Sequence, residues 1–101
     1  MLIYNVTINI LWQLHEEWML WLTDIYLPAA MATGAFEKYQ LVKLLEVEDA
    51  EGPTYAIQFY MISKAQYNRY IGLHHRAIKQ LETQRWGDAM LSFSTLMEVV
   101  N

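Results

Sequence analysis

Leu2-Ile3-Tyr4-Asn5-Val6-Thr7-Ile8-Asn9-Ile10 is the stretch on which the fold turns. Leu2, Tyr4, Val6, Ile8 and Ile10 fall on one side of an extended chain, and Asn5, Thr7 and Asn9 fall on the other. That period of two marks a strand with one buried face. Directly afterwards the period changes: Leu14, Trp18, Trp21, Leu22 and Ile25 recur at helical spacing, with Glu16, Glu17 and Asp24 opposite them. Pro28 has no N–H to donate and interrupts this helix, Ala29 to Thr33 continue it past a kink, and Gly34 suits the left-handed position that closes a helix.

Phe36 to Glu46 and Thr54 to Ile62 are rich in aromatic and aliphatic residues and flank an acidic loop containing Gly52 and Pro53, the pattern of two hairpin strands. Ser63 followed by Gln66 has the form of a capping box. It announces a second helix with the stripe Tyr67, Tyr70, Ile71, His74, Ala77, Ile78 and Leu81, ended by Gly87. Met90 to Val100 form a last strand, with Leu91, Phe93, Met97 and Val99 on one face and Ser92, Ser94 and Glu98 on the other.

This order of strand, helix, strand, strand, helix, strand predicts an α+β fold: a ferredoxin-like, four-stranded antiparallel sheet with two helices on one face. Residues 1–101 are read as a single domain of that kind, because 101 residues leave no room for a second. If the apolar strand faces all meet the helices, the opposite sheet face carries Asn5, Thr7, Asn9, Thr54, Ala56, Gln58, Tyr60, Ser92 and Ser94. A solvated sheet face normally attracts Lys and Glu, so this uncharged face is expected to be covered by a partner, and a homodimer through the outer face follows.

Composition agrees with association. The hydrophobic fraction is 54% and the charged fraction 18%, against about 45–50% and about 25% in typical domains. The net charge is -4, and the seven Lys and Arg are scattered singly from Lys38 to Arg85. They form no basic stripe, so no nucleic-acid partner is expected. The absence of cysteine excludes disulfides, thiolate metal sites and a cysteine nucleophile, and favours a reducing compartment. Met1 to Trp12 lacks the basic start of a secretory signal, and His15, Glu16, Glu17 and Asp24 break the most apolar third of the chain before it reaches membrane-spanning length. A cytoplasmic location without membrane association is expected.

His74, inside the apolar stripe of the second helix, suits either a satisfied core histidine or a general base facing a pocket beneath the helices. His75 reads as solvent-facing. His15 precedes Glu16 and Glu17 but lacks the second histidine, four residues on, of a metalloprotease motif. Glu46, Glu48, Asp49 and Glu51 lack the ligand order of a calcium loop and read as a solvated hairpin tip. Ser92 and Ser94 have no nucleophile elbow around them. Trp12, Trp18, Trp21 and Trp86 read as core rather than as a stacking platform. No metal and no cofactor is implied.

The chain resembles a family of small uncharacterised bacterial proteins, the domain of unknown function 4286 type, over almost its full length. The likeness rests on Ile3-Tyr4-Asn5-Val6-Thr7, His15-Glu16-Glu17-Trp18, Leu27-Pro28 with Ala32-Thr33-Gly34-Ala35-Phe36, Thr54-Tyr55-Ala56-Ile57-Gln58, Arg85-Trp86-Gly87 and Thr95-Leu96-Met97-Glu98-Val99. The family is related in shape to the dimeric α+β barrels. In its pattern a histidine often precedes Leu-Pro where this chain has Tyr26, and arginines often stand at the positions of Lys43 and Ser94, while His15 and His74 match. The resemblance therefore implies His15, Tyr26, Lys43 and His74 as ligand-binding candidates. The barrel architecture hosts cofactor-independent monooxygenases, isomerases, haem-degrading enzymes and proteins without known catalysis, among which fold alone does not choose. The expectation is a homodimeric small-ligand-binding or structural module. The alternative is a cofactor-independent enzyme acting on a small organic molecule between helices and sheet.

Overall fold

β1 (Leu2–Ile10) forms as the alternating pattern demands and lies inside the sheet. A computed structural model, describing residues 1–101, pairs it antiparallel with β3 (Thr54–Met61) on one side and β4 (Met90–Glu98) on the other. β2 (Lys38–Lys43) completes the hairpin with β3, giving the order β2-β3-β1-β4 in an open sheet. Tyr4, Val6, Ile8 and Ile10 of β1 and Tyr55, Ile57, Phe59 and Met61 of β3 are buried on one face. That face carries the helices, and the fold is α+β and ferredoxin-like.

The first helical segment is α1 (His15–Trp21), which runs through a π turn (Leu22–Tyr26) into α2 (Leu27–Ala32) without a break. The Leu27 N–H bonds to the Leu22 carbonyl, five residues back. Pro28 accounts for the widening: its ring would crowd the Asp24 carbonyl in a regular α-turn, and it has no N–H to lose. One extra residue advances everything that follows by about 100°. Ile25, expected in the core, is consequently 50% exposed, and Tyr26 is turned inward at 3%.

Ser63 caps the next helix, its Oγ accepting from the Gln66 N–H at 3.2 Å, while Gln66 Oε1 accepts from the Ile62 N–H at 3.1 Å. The single expected helix is two: α3 (Lys64–Leu73) and α4 (His75–Trp86), meeting at His74 with φ −124°. Gly72 lowers helix propensity just before this kink. Ile71, assigned to the buried stripe, is exposed, while Tyr70 and Ile78 are buried.

Gly34 adopts the left-handed φ of 75° expected of it. The acidic side chains between Glu46 and Glu51 are exposed, but the loop backbone is pinned. Trp12 N–H bonds the Glu51 carbonyl at 3.0 Å, Trp12 Nε1 donates to Asp49 O at 2.7 Å, and Asn9 Nδ2 lies 3.1 to 3.2 Å from Gly52 O, Pro53 O and Thr54 Oγ1. Gly52 is pressed so closely on the Ile10 carbonyl that a Cβ there would collide with it.

The faces of β4 are reversed from expectation. Tyr4 lies opposite Leu96, Val6 opposite Ser94 and Ile8 opposite Ser92. In an antiparallel pair, residues directly opposite share a face. Ser92 and Ser94 therefore belong to the helix side, and Leu91, Phe93, Thr95 and Met97 to the outer side. The sequence reading assumed that apolar strand faces always meet helices; the register overrides it. The outer face accordingly carries Leu91 and Phe93, both 66% exposed, beside Asn5, Thr7, Gln58 and Tyr60. No helix is long and apolar enough to cross a membrane.

Two substitutions test this arrangement. Leu22→Ala should cost about 2–5 kcal/mol, whereas Ile25→Ala should stay within about 0.5 kcal/mol, as measured by urea titration; equal costs would contradict the π-turn register. Gly52→Ala should destabilise by about 1–3 kcal/mol, because the Ile10 carbonyl must move; an unchanged midpoint would place this loop free of β1.

Candidate functional site

Between α4 and the β1–β4 half of the sheet lies a cavity of about 220 Å³. Its floor is small because β4 contributes Ser92 and Ser94 rather than large apolar side chains. Val6 and Ile78 give it apolar walls, and His75 reaches it from the start of α4.

Glu82 enters from α4 and is 5% exposed, the one buried charged residue of the chain. Lys79, three residues earlier and so on the same helix face, places Nζ 3.0 Å from Glu82 Oε2. Lys79 Nζ also donates to Ser92 Oγ at 2.7 Å, and Ser92 Oγ lies 3.5 Å from the same Oε2 as donor. The carboxylate is thereby tied to β4. The Lys79 side chain remains 45% exposed, so the pair stands at the cavity's mouth with its negative end inward.

Three tyrosines converge on this carboxylate. Tyr4 comes from β1, Tyr26 from the π turn and Tyr70 from α3, and all are buried. The Tyr4 and Tyr70 rings are 5.5 Å apart. Burial raises all three hydroxyl pKa values above the ordinary 10.0. For Tyr26, raised well above the ordinary value, burial is the first cause and the Glu82 charge the second, followed by Tyr70 and Tyr4. For Tyr70 the neighbours Tyr4 and Glu82 add to burial, whereas for Tyr4 a hydrogen bond with Ser94 opposes it. The hydroxyls therefore stay protonated as neutral hydrogen-bond donors.

The only side-chain polar atoms sealed away without a partner are Nε1 of Trp18 and Trp86. The hydroxyls of Tyr26 and Tyr70 have no protein partner and are not sealed, and both residues line the cavity. The arrangement offers neutral donors beside a carboxylate acceptor, within apolar walls.

The four residues singled out from sequence lie in three places. Tyr26 lines this cavity. His74, at the α3–α4 kink, lines a separate hollow of about 170 Å³ with Gly34, Gln66 and Arg69, on the other side of Tyr70. His15 stacks on Tyr55 with ring centroids 5.6 Å apart, and its Nε2 is hydrogen-bonded to the Tyr55 hydroxyl at 2.7 Å. Lys43 Nζ lies 5.7 Å from the Trp12 ring, whose edge meets His15. This group belongs to the β2–β3 half of the sheet, away from β4. Sequence reasoning missed Glu82, Lys79 and the inward serines, and it read His75 as solvent-facing. One signal was available: Glu82 stands four residues from both Ile78 and Trp86, in line with a buried stripe.

A family model matches residues 1–100. The chain belongs to the family described as Domain of unknown function (DUF4286). No curated protein matches this DUF4286 chain in sequence. Among solved structures, an ethyl tert-butyl ether D (EthD) family protein from Bacillus halodurans superposes with a TM-score of 0.69 at 6% identity, covering 99% of this chain and 100% of its own. HapK from Hahella chejuensis gives 0.69 at 9% identity, covering 100% and 94%. A dimeric ferredoxin-like protein from an uncultured marine organism gives 0.60 at 10%, covering 99% and 95%. Identities this low carry the likeness of fold alone, and they agree with the ferredoxin-like topology of the DUF4286 chain.

The raised tyrosine pKa values make alkaline stability a test of the cluster. Above pH 10.0 the unfolded chain releases these phenolic protons while the folded chain keeps them. Their contribution is therefore complete below pH 10.0 and is lost as pH rises beyond it. Unfolding free energy should be flat for this term through pH 9 and then fall, by up to about 1.4 kcal/mol per pH unit for each buried tyrosine. Tyr26→Phe should make the fall shallower. A slope unchanged by Tyr26→Phe would show that its hydroxyl ionises freely in the folded protein.

Proposed function

We propose that this chain is the protomer of a homodimeric small-ligand-binding protein, with the cavity around Tyr26 and Glu82 as the ligand site and the outer sheet face as the dimer contact. The observation that carries the reading is a pair of enclosed tyrosine hydroxyls without protein partners, opening beside a buried, ion-paired carboxylate. Polar groups inside a core are ordinarily satisfied by the protein itself, and those left over await water or a ligand. A dry cavity of about 150 Å³ suffices for benzene, so about 220 Å³ accommodates one substituted ring. Of the residues singled out from sequence, Tyr26 is the one this reading assigns to ligand contact.

Dimerisation is supported by the outer face. It holds one charged side chain, Lys38, and it exposes Leu91 and Phe93 next to Asn5, Thr7 and Gln58. Uncharged amides and hydroxyls cross an interface without the cost of burying charge. A face of four strands of this length covers roughly 500 Å², so two stacked copies together bury about the 1,000 Å² expected of a biological contact. Structural neighbours described as dimeric share the fold.

Sedimentation equilibrium at micromolar concentration should give twice the protomer mass of 11.9 kDa, and Thr7→Lys with Phe93→Glu should return the monomer. A wild-type monomer, or a dimer indifferent to both changes, overturns the contact. For the ligand site, a library of single-ring fragments followed by protein NMR should shift Val6, Tyr26 and Ile78 together. Responses confined to other surfaces would remove the cavity from consideration.

A further inference from the structure

The cavity's chemistry narrows its ligand, on the premise that it is the ligand site. We propose that it takes an uncharged, ring-sized molecule carrying a hydroxyl beside a second oxygen, the hydroxyl donating to Glu82 and the second oxygen accepting from Tyr26.

Glu82 sets the first requirement. Both of its protein contacts, from Lys79 at 3.0 Å and Ser92 at 3.5 Å, use Oε2. Oε1 is left as an acceptor with no donor of its own. An apolar ligand would strip water from that oxygen and return nothing, leaving a buried carboxylate under-bonded. A ligand O–H meets the need with a charge-assisted hydrogen bond.

Charge sets the second requirement. An anionic ligand would lie against the same carboxylate, which is itself buried. A cationic one would duplicate Lys79, which already neutralises Glu82 from the mouth, and would give up its own hydration to do so. An uncharged ligand avoids both costs.

Tyr26 sets the third. Its hydroxyl is enclosed, protonated and without a protein partner, and the Glu82 charge is felt there more strongly than either neighbouring tyrosine. Donor and acceptor line the one cavity, so a ring carrying two oxygens meets both where a single hydroxyl meets one. Val6 and Ile78 pack the carbon skeleton, and the volume of about 220 Å³ limits it to one ring with small substituents.

Four probes of matched size separate the requirements: catechol, toluene, benzoate and benzylammonium, titrated into the wild-type protein at neutral pH and followed by NMR shifts of Val6, Tyr26 and Ile78. Catechol should bind at least tenfold more tightly than each of the other three. Glu82→Gln should remove most of that preference, weakening catechol and relieving toluene of the cost of desolvating a carboxylate, and Tyr26→Phe should reduce it by a smaller factor. The wild-type ranking requires no variant to fold, so it stands even if Glu82→Gln unfolds the chain. Equal affinity for catechol and toluene, or tighter binding of either ion, overturns the proposed ligand class while leaving the cavity a ligand site. Shifts from none of the four at these residues would overturn the ligand site itself, and this proposal with it.

Discussion

The pairing register of β1 with β4 is the constraint on which the rest of the molecule depends. Side chains alternate along a strand, so a slip of one residue would exchange the two faces of β4 completely. With Val6 opposite Ser94 and Ile8 opposite Ser92, the strand presents hydroxyls beneath α4 and hydrophobic side chains to the outside. Had the register been the other, Leu91 and Phe93 would fill the space now held by the cavity. The outer face would then be as polar on β4 as it is on β1. The hollow under α4 and the exposed apolar strip on the sheet thus have one origin.

Within that hollow the costly element is Glu82. A buried carboxylate loses several kcal/mol of hydration, which a single ion pair seldom restores in full. Lys79 and Ser92 offset part of the loss, and the exposed stem of Lys79 keeps its ammonium hydrated. Apolar side chains of similar volume in place of the pair would commonly match or exceed it in stability. Stability is thus a weak reason for a carboxylate here, and the tyrosine hydroxyls around it gain nothing from it except higher pKa values. The cluster makes better sense as a set of groups held in readiness than as a means of holding α4 down.

Much of the fold was legible because local and global preferences agreed. β1 alternates from Tyr4 to Ile10, and its buried residues are the expected ones. Trp18 and Trp21 sit at helical spacing and are buried. Ser63 and Gln66 announce α3 through hydrogen bonds that depend on a few adjacent residues. Such features need only neighbouring sequence to form. The second strand shows the limit of the same logic: its composition suggested Phe36 to Glu46, and its ladder with β3 spans only Lys38 to Lys43, ending beyond Lys43 where the partner strand meets the pinned loop.

Most of the larger departures share a location. Ile25 was expected inward and Tyr26 is there instead, because Pro28 forced a π turn whose effect on phase no periodicity count includes. The second helix was read as continuous, and its kink at His74 brings His75 to the cavity. Ser92 and Ser94 were assigned outward, and Glu82 was not singled out. Each is a departure from the rule that apolar residues face the core at a regular period, and each borders the same hollow. Departures from local consistency tend to survive where the site itself requires them. An ideal helix in place of the π turn would point Ile25 inward and remove the Tyr26 hydroxyl from the cavity. An ideal β4 would close its floor with Phe93. The irregularities are therefore what keep this part of the core open and polar, and regularising any one of them would make the chain easier to read and the cavity smaller.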